Sequence, residues 1–399
     1  MFEKNIFCYA CGKKYPAGEK IFRCVRCGGS LEIAYDYGGL KRKVSVKLLR
    51  SRNFTHTRYL EFYPVRKPVS IEEGGTPLLR SKNIENMFSL DFSLWFKNES
   101  MNPTGSFKDR GSSVEIAKAV EFGAGKVVCA STGNMGASVS AYSGIANLEC
   151  HIFTPEDAKP VKIEQILGYG AKVYRVAGSY SQAEYLAEEA YRKYGVHLLG
   201  DYLYRREGTK SVGFEILDQL GFRTGNLYIV SPVGNGTLIS AVWKSVKEFE
   251  TIGLIKERPK LIGIQAEGCN PVVKAFKRGT RVRPVRNPKT VAVAIECGNP
   301  LDGERALESV KESGGFMESV SDGEILKARE MLAKHEGLFT EPAGAVSLAG
   351  LLKVRERIGE KSRVVCLVTG HGLKTPKTDV PGREMRIRAD PKVLGEIFG

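Results

Sequence analysis

From about Thr76 onward, short apolar runs alternate with longer amphipathic stretches. The runs 126–130, 150–153, 172–176, 227–230, 261–265 and 363–368 are bounded by Gly or Pro, the pattern of buried parallel strands. Between and around them, 112–121, 181–194, 207–220, 237–250, 322–335 and 342–357 read as helices. In 181–194, for example, Glu184, Glu188, Arg192 and Lys193 give a charged face, and Tyr185, Leu186 and Ala190 an apolar one. Strand–helix alternation of this kind predicts a parallel α/β architecture, and its length predicts two lobes. The chain holds no repeat or low-complexity tract.

Composition adds limits. Of 399 residues, 42% are hydrophobic and 26% charged, which is ordinary globular usage and excludes a disordered or fibrous chain. No apolar stretch approaches the roughly 20 residues of a membrane span. The start, MFEKNIFCYACGKK, has no apolar signal core, so a cytoplasmic location is expected. Residues 1–70 carry 15 Lys and Arg against 5 Asp and Glu, and hold most of the net charge of +15. That imbalance fits a basic appendage on a nearly neutral body, or a contact with nucleic acid or an acidic partner.

Nine cysteines cannot all pair internally, and four of them are patterned. Cys8 and Cys11, then Cys24 and Cys27, form two knuckles with glycine after each (Gly12; Gly28 and Gly29). This spacing presents four sulfurs to one tetrahedral ion and predicts a zinc-ribbon-like segment with a closed, structural zinc site. Free thiols, a redox pair or a ribbon without metal are the alternatives. Cys129, Cys150, Cys269, Cys297 and Cys366 lack such spacing and read as small buried hydrophobes.

Chemistry is expected in loops at the carboxyl ends of the strands. Asn102-Pro-Thr-Gly-Ser-Phe-Lys108-Asp-Arg-Gly111 puts a lysine just inside a helix N-terminus, where the dipole favours its neutral, nucleophilic form. A surface lysine on a capped helix is the plainer alternative. Ser131-Thr-Gly-Asn-Met-Gly136 offers amides and hydroxyls suited to a carboxylate. Gly234-Asn-Gly-Thr237 is either a phosphate cradle or merely a tight turn, and Thr369-Gly-His371-Gly372 follows the last strand. P-loop, G-x-S-x-G and H-E-x-x-H signatures are absent, and only five histidines occur.

Taken in order, NPTGSFKDRG, STGNMGAS, VGNGTLIS, EPAGAVSLAGL and TGHGLK, with EGGTPLL, QAEGCNP and AIECGNP, resemble the threonine synthases. These are pyridoxal-phosphate (PLP) enzymes of fold type II, the tryptophan-synthase-β-like class. The resemblance covers nearly the whole chain. It implies a two-domain α/β fold with parallel sheets: 71–105 with 206–399 as the large domain, 106–205 as a small inserted one. Residues 1–40 precede these as the zinc-ribbon-like region and 41–70 as a basic linker. It implies that Lys108 forms the Schiff base with PLP and shuttles protons, and that Asn134 bonds the ring hydroxyl. Gly234, Asn235, Gly236 and Thr237 would hold the cofactor phosphate, and Thr369 would face the pyridine nitrogen. Ser131 and Thr132 would grip the substrate carboxylate, and Arg205, or alternatively Arg206, would lie near the substrate phosphate.

The implied reaction converts O-phospho-L-homoserine and water to L-threonine and phosphate, in a homodimer with no membrane or nucleic-acid partner. The chain departs from the family at Thr237-Leu238, where relatives read GNxGN, and at Met135, where they carry a small or hydroxylic residue. Rival readings are a threonine or serine dehydratase, a phosphoserine-using β-replacing synthase, and a zinc-ribbon nucleic-acid binder with an inactive body.

Overall fold

The computed structural model describes residues 1–375 apart from Thr132, Asp157, Lys159 and Ser179. Thirteen strands are described: β1 Glu3–Cys8, β2 Lys14–Pro16, β3 Leu31–Tyr35, β4 Leu78–Arg80, β5 Ser93–Asn98, β6 Lys126–Ala130, β7 Glu149–Pro155, β8 Lys172–Val176, β9 His197–Leu199, β10 Leu227–Pro232, β11 Lys260–Ala266, β12 Phe316–Val320 and β13 Arg363–Val368. They form three sheets.

The largest sheet runs β12-β11-β10-β13-β5-β4, parallel throughout except for the antiparallel edge pair β4–β5. Its central strands are apolar on both faces because helices cover both: every residue of β10 is buried, and all but Lys260 of β11. A second, wholly parallel sheet runs β8-β7-β6-β9. The third is a three-stranded antiparallel N-terminal sheet with β1 in the centre, β2-β1-β3, carrying the cysteine knuckles. No helix among the described residues is long and apolar enough to cross a membrane.

Two expectations change here. The stretch 207–220 is not one helix but two, Leu203–Thr209 and Ser211–Gln219, meeting at Lys210. Gly208 lies so close to the Arg110 carbonyl that a Cβ there would sit 2.0 Å away, so tertiary packing shapes this stretch. The stretch read as a basic linker, 41–70, is folded into the body. It includes the helix Val46–Arg50 and the 3-10 segment His56–Phe62. Phe62 packs on Phe214 at 4.7 Å, and Phe214 stacks on Phe249 at 4.4 Å. Most of its basic side chains face outward while Leu49, Tyr59, Phe62 and Tyr63 fill the core, so the charge hid an apolar face.

The N-terminal sheet is tied to the same body through buried charges. Tyr35 donates to Glu207 at 2.7 Å, Lys244 donates to the Ile33 carbonyl at 2.8 Å, and Arg305 pairs with Glu32.

Candidate active site

Lys108 opens the helix Lys108–Glu121, and the loop before it is stitched to the end of β13. The Phe107 N–H donates to the Thr369 carbonyl at 3.2 Å, the His371 N–H to the Gly105 carbonyl at 2.9 Å, and Ser106 bridges to Gly370. Gly105 is at φ +82°, a conformation that suits glycine at this turn. These bonds bring Lys108 and Thr369 together. The Lys108 amine lies 3.7 Å from Asp201 Oδ1 and 4.8 Å from the centre of the Phe107 ring. Burial opposes ionisation of Asp201, but the charges of Lys108 and Arg205 outweigh it and hold the carboxyl below its ordinary value. Sequence reasoning missed Asp201. Its signal was position: it follows the end of the three-residue strand β9 by one glycine.

Asn134 opens the helix Asn134–Ile145, just beyond the carboxyl end of β6. Its Nδ2 donates to Glu341 at 2.7 Å, while its buried Oδ1 has no partner. Glu341 is in turn fixed by its own N–H to the Gly370 carbonyl at 3.1 Å, so Asn134 faces the Thr369-Gly370 turn. Any Cβ at Gly370 would lie 2.5 Å from that carboxylate. Glu341 belongs to the EPAGAV stretch, which marked a motif without assigning this residue a task. Ser131 Oγ accepts the Gly133 and Gly136 amides at 3.1 and 2.8 Å, leaving its hydroxyl proton available. Thr132 lies outside the described residues.

The Gly234–Thr237 loop joins β10 to the helix Thr237–Thr251, with Gly236 at φ +95° as its cap. A Cβ at Gly234 would meet Ile295 Cα at 2.9 Å, and one at Gly236 the Asp302 carbonyl at 2.6 Å, so the turn admits only glycine at both places. Among the described residues the four amides of 234–237 have no protein acceptor. Asn235 Oδ1 accepts the Leu301 N–H at 2.6 Å, and the Asn235 side chain also reaches Asp201, so this loop meets the Lys108 side of the cleft. Thr237 Oγ1 donates to Asp302 at 3.1 Å, which leaves its amide, rather than its hydroxyl, for an anion.

Geometry also separates the two arginines. Arg206 is held by Asp302 at 2.7 Å and by the Leu31 carbonyl at 2.8 Å, and so anchors the N-terminal sheet. Arg205 borders the site: it donates to the carbonyls of Lys108 and Gly200 at 3.3 and 3.2 Å and pairs with Glu115 at 2.5 Å. Burial raises Glu115 to about 7 against the pull of Arg205. Every nitrogen of Arg205 is thereby engaged by the protein.

At the mouth, a cavity of about 360 Å³ is lined by residues including Thr104, Gly105, Lys162, Gln165, His371 and Lys374. Burial lowers Lys374 to about 8, and its amine donates to the Thr104 carbonyl and to Gln165 at 2.6 Å each. Lys162 lies 3.9 Å from Glu341. Cations at the mouth suit an anionic substrate.

Together these groups offer a lysine amine, an unengaged amide cradle for a phosphate, and two buried polar atoms without hydrogen-bond partners, Ser106 Oγ and Asn134 Oδ1. A phosphorylated aldehyde cofactor fits that donor set. On the N-terminal sheet, the sulfurs of Cys8, Cys11, Cys24 and Cys27 lie within 4.8 Å of one another, a grouping able to hold a metal ion. Of the other cysteines, Cys129, Cys150, Cys269 and Cys366 are buried and Cys297 is partly so.

Residues 69–370 match the family model described as pyridoxal-phosphate dependent enzyme. The chain is 45% identical over 401 residues to a threonine synthase of Methanocaldococcus jannaschii, with 98% of each chain covered. It is 42% identical to one of Methanosarcina acetivorans, with 99% of each covered, and 37% identical to one of Synechocystis, covering 86% and 88%. Among solved structures, a threonine deaminase of T.th. superposes with a TM-score of 0.65 at 24% identity, covering 82% of this chain and 98% of that one. Maize serine racemase gives 0.64 at 22%, covering 81% and 92%; both likenesses concern the fold alone. By sequence across nearly its full length, the chain belongs to the pyridoxal-phosphate-dependent enzymes and, among them, to the threonine synthases.

Proposed function

We propose that this chain converts O-phospho-L-homoserine and water to L-threonine and phosphate with pyridoxal phosphate. The observation that carries the reading is the meeting of Lys108, Asn134, Thr369 and the 234–237 amides at one cleft, in a chain so similar to threonine synthases. Bound there, the cofactor supplies an electron sink for negative charge developing on the substrate carbons.

The chain's own residues supply the rest. Lys108 holds the cofactor through Nζ and, once released, takes and returns the substrate protons at that atom. Asp201, 3.7 Å away, steadies the amine when it is protonated. The 234–237 amides hold the cofactor phosphate at a helix N-terminus. Asn134, fixed by Glu341, presents its amide to the ring hydroxyl. Thr369 offers the pyridine nitrogen a neutral hydroxyl, which does not hold the ring fully protonated. Ser131 and Thr132 take the substrate carboxylate. Arg205 acts by fixing the carbonyls of Lys108 and Gly200 beside the substrate phosphate, while Lys162 and Lys374 draw the anion into the mouth.

Incubating the purified protein with PLP and O-phospho-L-homoserine tests this. Threonine and phosphate in equal amounts are expected. Phosphate with a keto acid would overturn the synthase reading in favour of a lyase.

Four further parts belong to the proposal. The four N-terminal sulfurs take a structural zinc as a ribbon-like segment. The separations of 3.5 Å for Cys8–Cys27 and 3.7 Å for Cys11–Cys24 support this, since tetrahedral Zn–S bonds of about 2.3 Å place sulfurs about 3.8 Å apart. One zinc per chain by elemental analysis is the expected result. The two large sheets support 106–205 as an inserted domain beside 71–105 with 206–399. The enzyme works as a homodimer, which light scattering checks. It resides in the cytoplasm, which cell fractionation checks.

A further inference from the structure

A second hollow lies away from the residues assigned to catalysis, and its rim is cationic. About 380 Å³ of space opens between the helix Pro271–Arg278 and the loop that continues to residue 286. Lys274, Arg278, Arg281, Arg283 and Arg286 line it, all five exposed. No Asp or Glu occurs between Gly268 and Ile295. Among the described residues none of the five is in an ion pair. The paired cation of this helix is Lys277, 2.5 Å from Glu318. Glu304, whose carboxylate reaches the loop, is engaged by the Val282 N–H at 2.8 Å.

Such an arrangement does nothing for stability. Like charges facing one hollow repel, and the helix C-terminus rewards only the cations of its last turn. Arg281, Arg283 and Arg286 lie beyond that turn. Some exposed cations elsewhere are neutralised locally, as with Arg192 and Lys193 on Glu188 and Glu189, whereas these five share one hollow without such a partner among the described residues. A concave surface of one sign focuses the field on whatever enters it. The volume falls within the range of small-molecule sites, and guanidinium forks match phosphate oxygens in pairs.

The wall of the hollow also connects to the loop assigned to the cofactor phosphate. The Val285 N–H donates to the Gly298 carbonyl at 2.9 Å, and three residues on, Leu301 and Asp302 donate to Asn235 at 2.6 and 3.1 Å. We propose that the hollow binds a di- or triphosphate group, carried either by inorganic polyphosphate or by a nucleoside polyphosphate, and that its occupancy is transmitted to the 234–237 loop. The transmitted half rests on that loop holding the cofactor phosphate.

The test titrates the holoenzyme with tripolyphosphate and, separately, with ATP by calorimetry, using wild type and the double variant Arg281→Ala/Arg283→Ala. Wild type binds tripolyphosphate saturably. The variant, with unchanged circular dichroism and cofactor absorbance, binds it at least about tenfold more weakly, as expected for two lost charge-assisted contacts. Equal affinity for ATP assigns recognition to the phosphates; tighter ATP binding assigns the nucleoside a share. Equal affinities of wild type and variant overturn the site, because the binding then lies in the catalytic cleft. Duplex DNA that binds more tightly and displaces tripolyphosphate overturns it in favour of a nucleic-acid surface. Bound tripolyphosphate shifts the PLP dissociation constant at least about twofold in wild type alone, as a modest coupling between two sites would. Normal PLP binding without that shift overturns the transmitted half, whereas failure of PLP to bind at all counts against the catalytic reading instead.

Discussion

Lys108 and Arg110 lie two residues apart at the start of one helix, yet their surroundings are opposite. Arg110 is fully enclosed: its guanidinium reaches Glu99 at 2.6 and 2.8 Å, Glu215 at 2.6 and 2.8 Å, and Thr76 and Ser211 at 3.1 Å. Lys97 completes the group with Glu215, Gln219 and the Thr76 carbonyl, all within 2.9 Å. No polar side-chain atom of Lys97, Glu99, Arg110 or Glu215 lacks a partner. Lys108, by contrast, has one carboxylate at 3.7 Å, and buried polar atoms around it are unpartnered. A saturated network can only hold the fold. An unsaturated one beside an amide cradle is completed by a ligand. The difference between neighbours marks where structure ends and chemistry begins.

Breaking each side gives different losses. Lys108→Ala removes the proton carrier and lowers threonine formation by about 10⁴-fold, while urea unfolding changes by less than about 1 kcal/mol. Arg110→Met strands two buried carboxylates and lowers unfolding free energy by about 3–5 kcal/mol. If the two variants showed the same pattern, the contrast between the neighbours would be empty.

The same contrast explains what the sequence could carry. The strands 126–130 and 363–368 fall where the apolar runs place them, because a run covered on both faces needs no context, and 172–176 does so as a largely exposed edge strand. β5 was invisible: its SLWFKN ends in Lys97 and Asn98, polar residues whose burial depends on partners, distant Glu215 for Lys97 and nearby Ser100 for Asn98. β9 is three residues long, so Asp201 beyond it had no strand to announce it. The glycine loops were legible because close approach permits no other residue, as at Gly236 and Gly370. The choice between Arg205 and Arg206 was not legible, since adjacent helical residues face different ways and only the packing of Leu31 and Asp302 separates them.

A smaller loss is expected where the N-terminal sheet meets the body. Burial opposes ionisation of Glu32 on β3, but Lys244, Arg305 and Arg206 lower its carboxyl to about 2. The stabilisation this represents is complete above about pH 5 and disappears as pH falls from about 4.5 toward 2, and amounts to at most about 3 kcal/mol. Urea midpoints compared between pH 6 and pH 3 should fall less for Glu32→Gln than for wild type. Equal falls would remove Glu32 from the account of the saturated contacts.

The finest test falls on Asn134, which stands between the two regimes. Its Nδ2 is engaged by Glu341 at 2.7 Å, as in the structural network, while its Oδ1 is buried and unpartnered, as in the cleft. If the open atom matters, Asn134→Ala weakens cofactor binding by about tenfold, the worth of one hydrogen bond to a buried ligand. The loss of the Glu341 contact is softened by Lys162, which lies 3.9 Å from the other carboxylate oxygen. Cofactor absorbance on dialysis measures the first effect and urea unfolding without cofactor measures the second. A stability loss with unchanged cofactor affinity would move Asn134 to the structural side, and would leave Lys108, Thr369 and the 234–237 amides to hold the ring and phosphate without it.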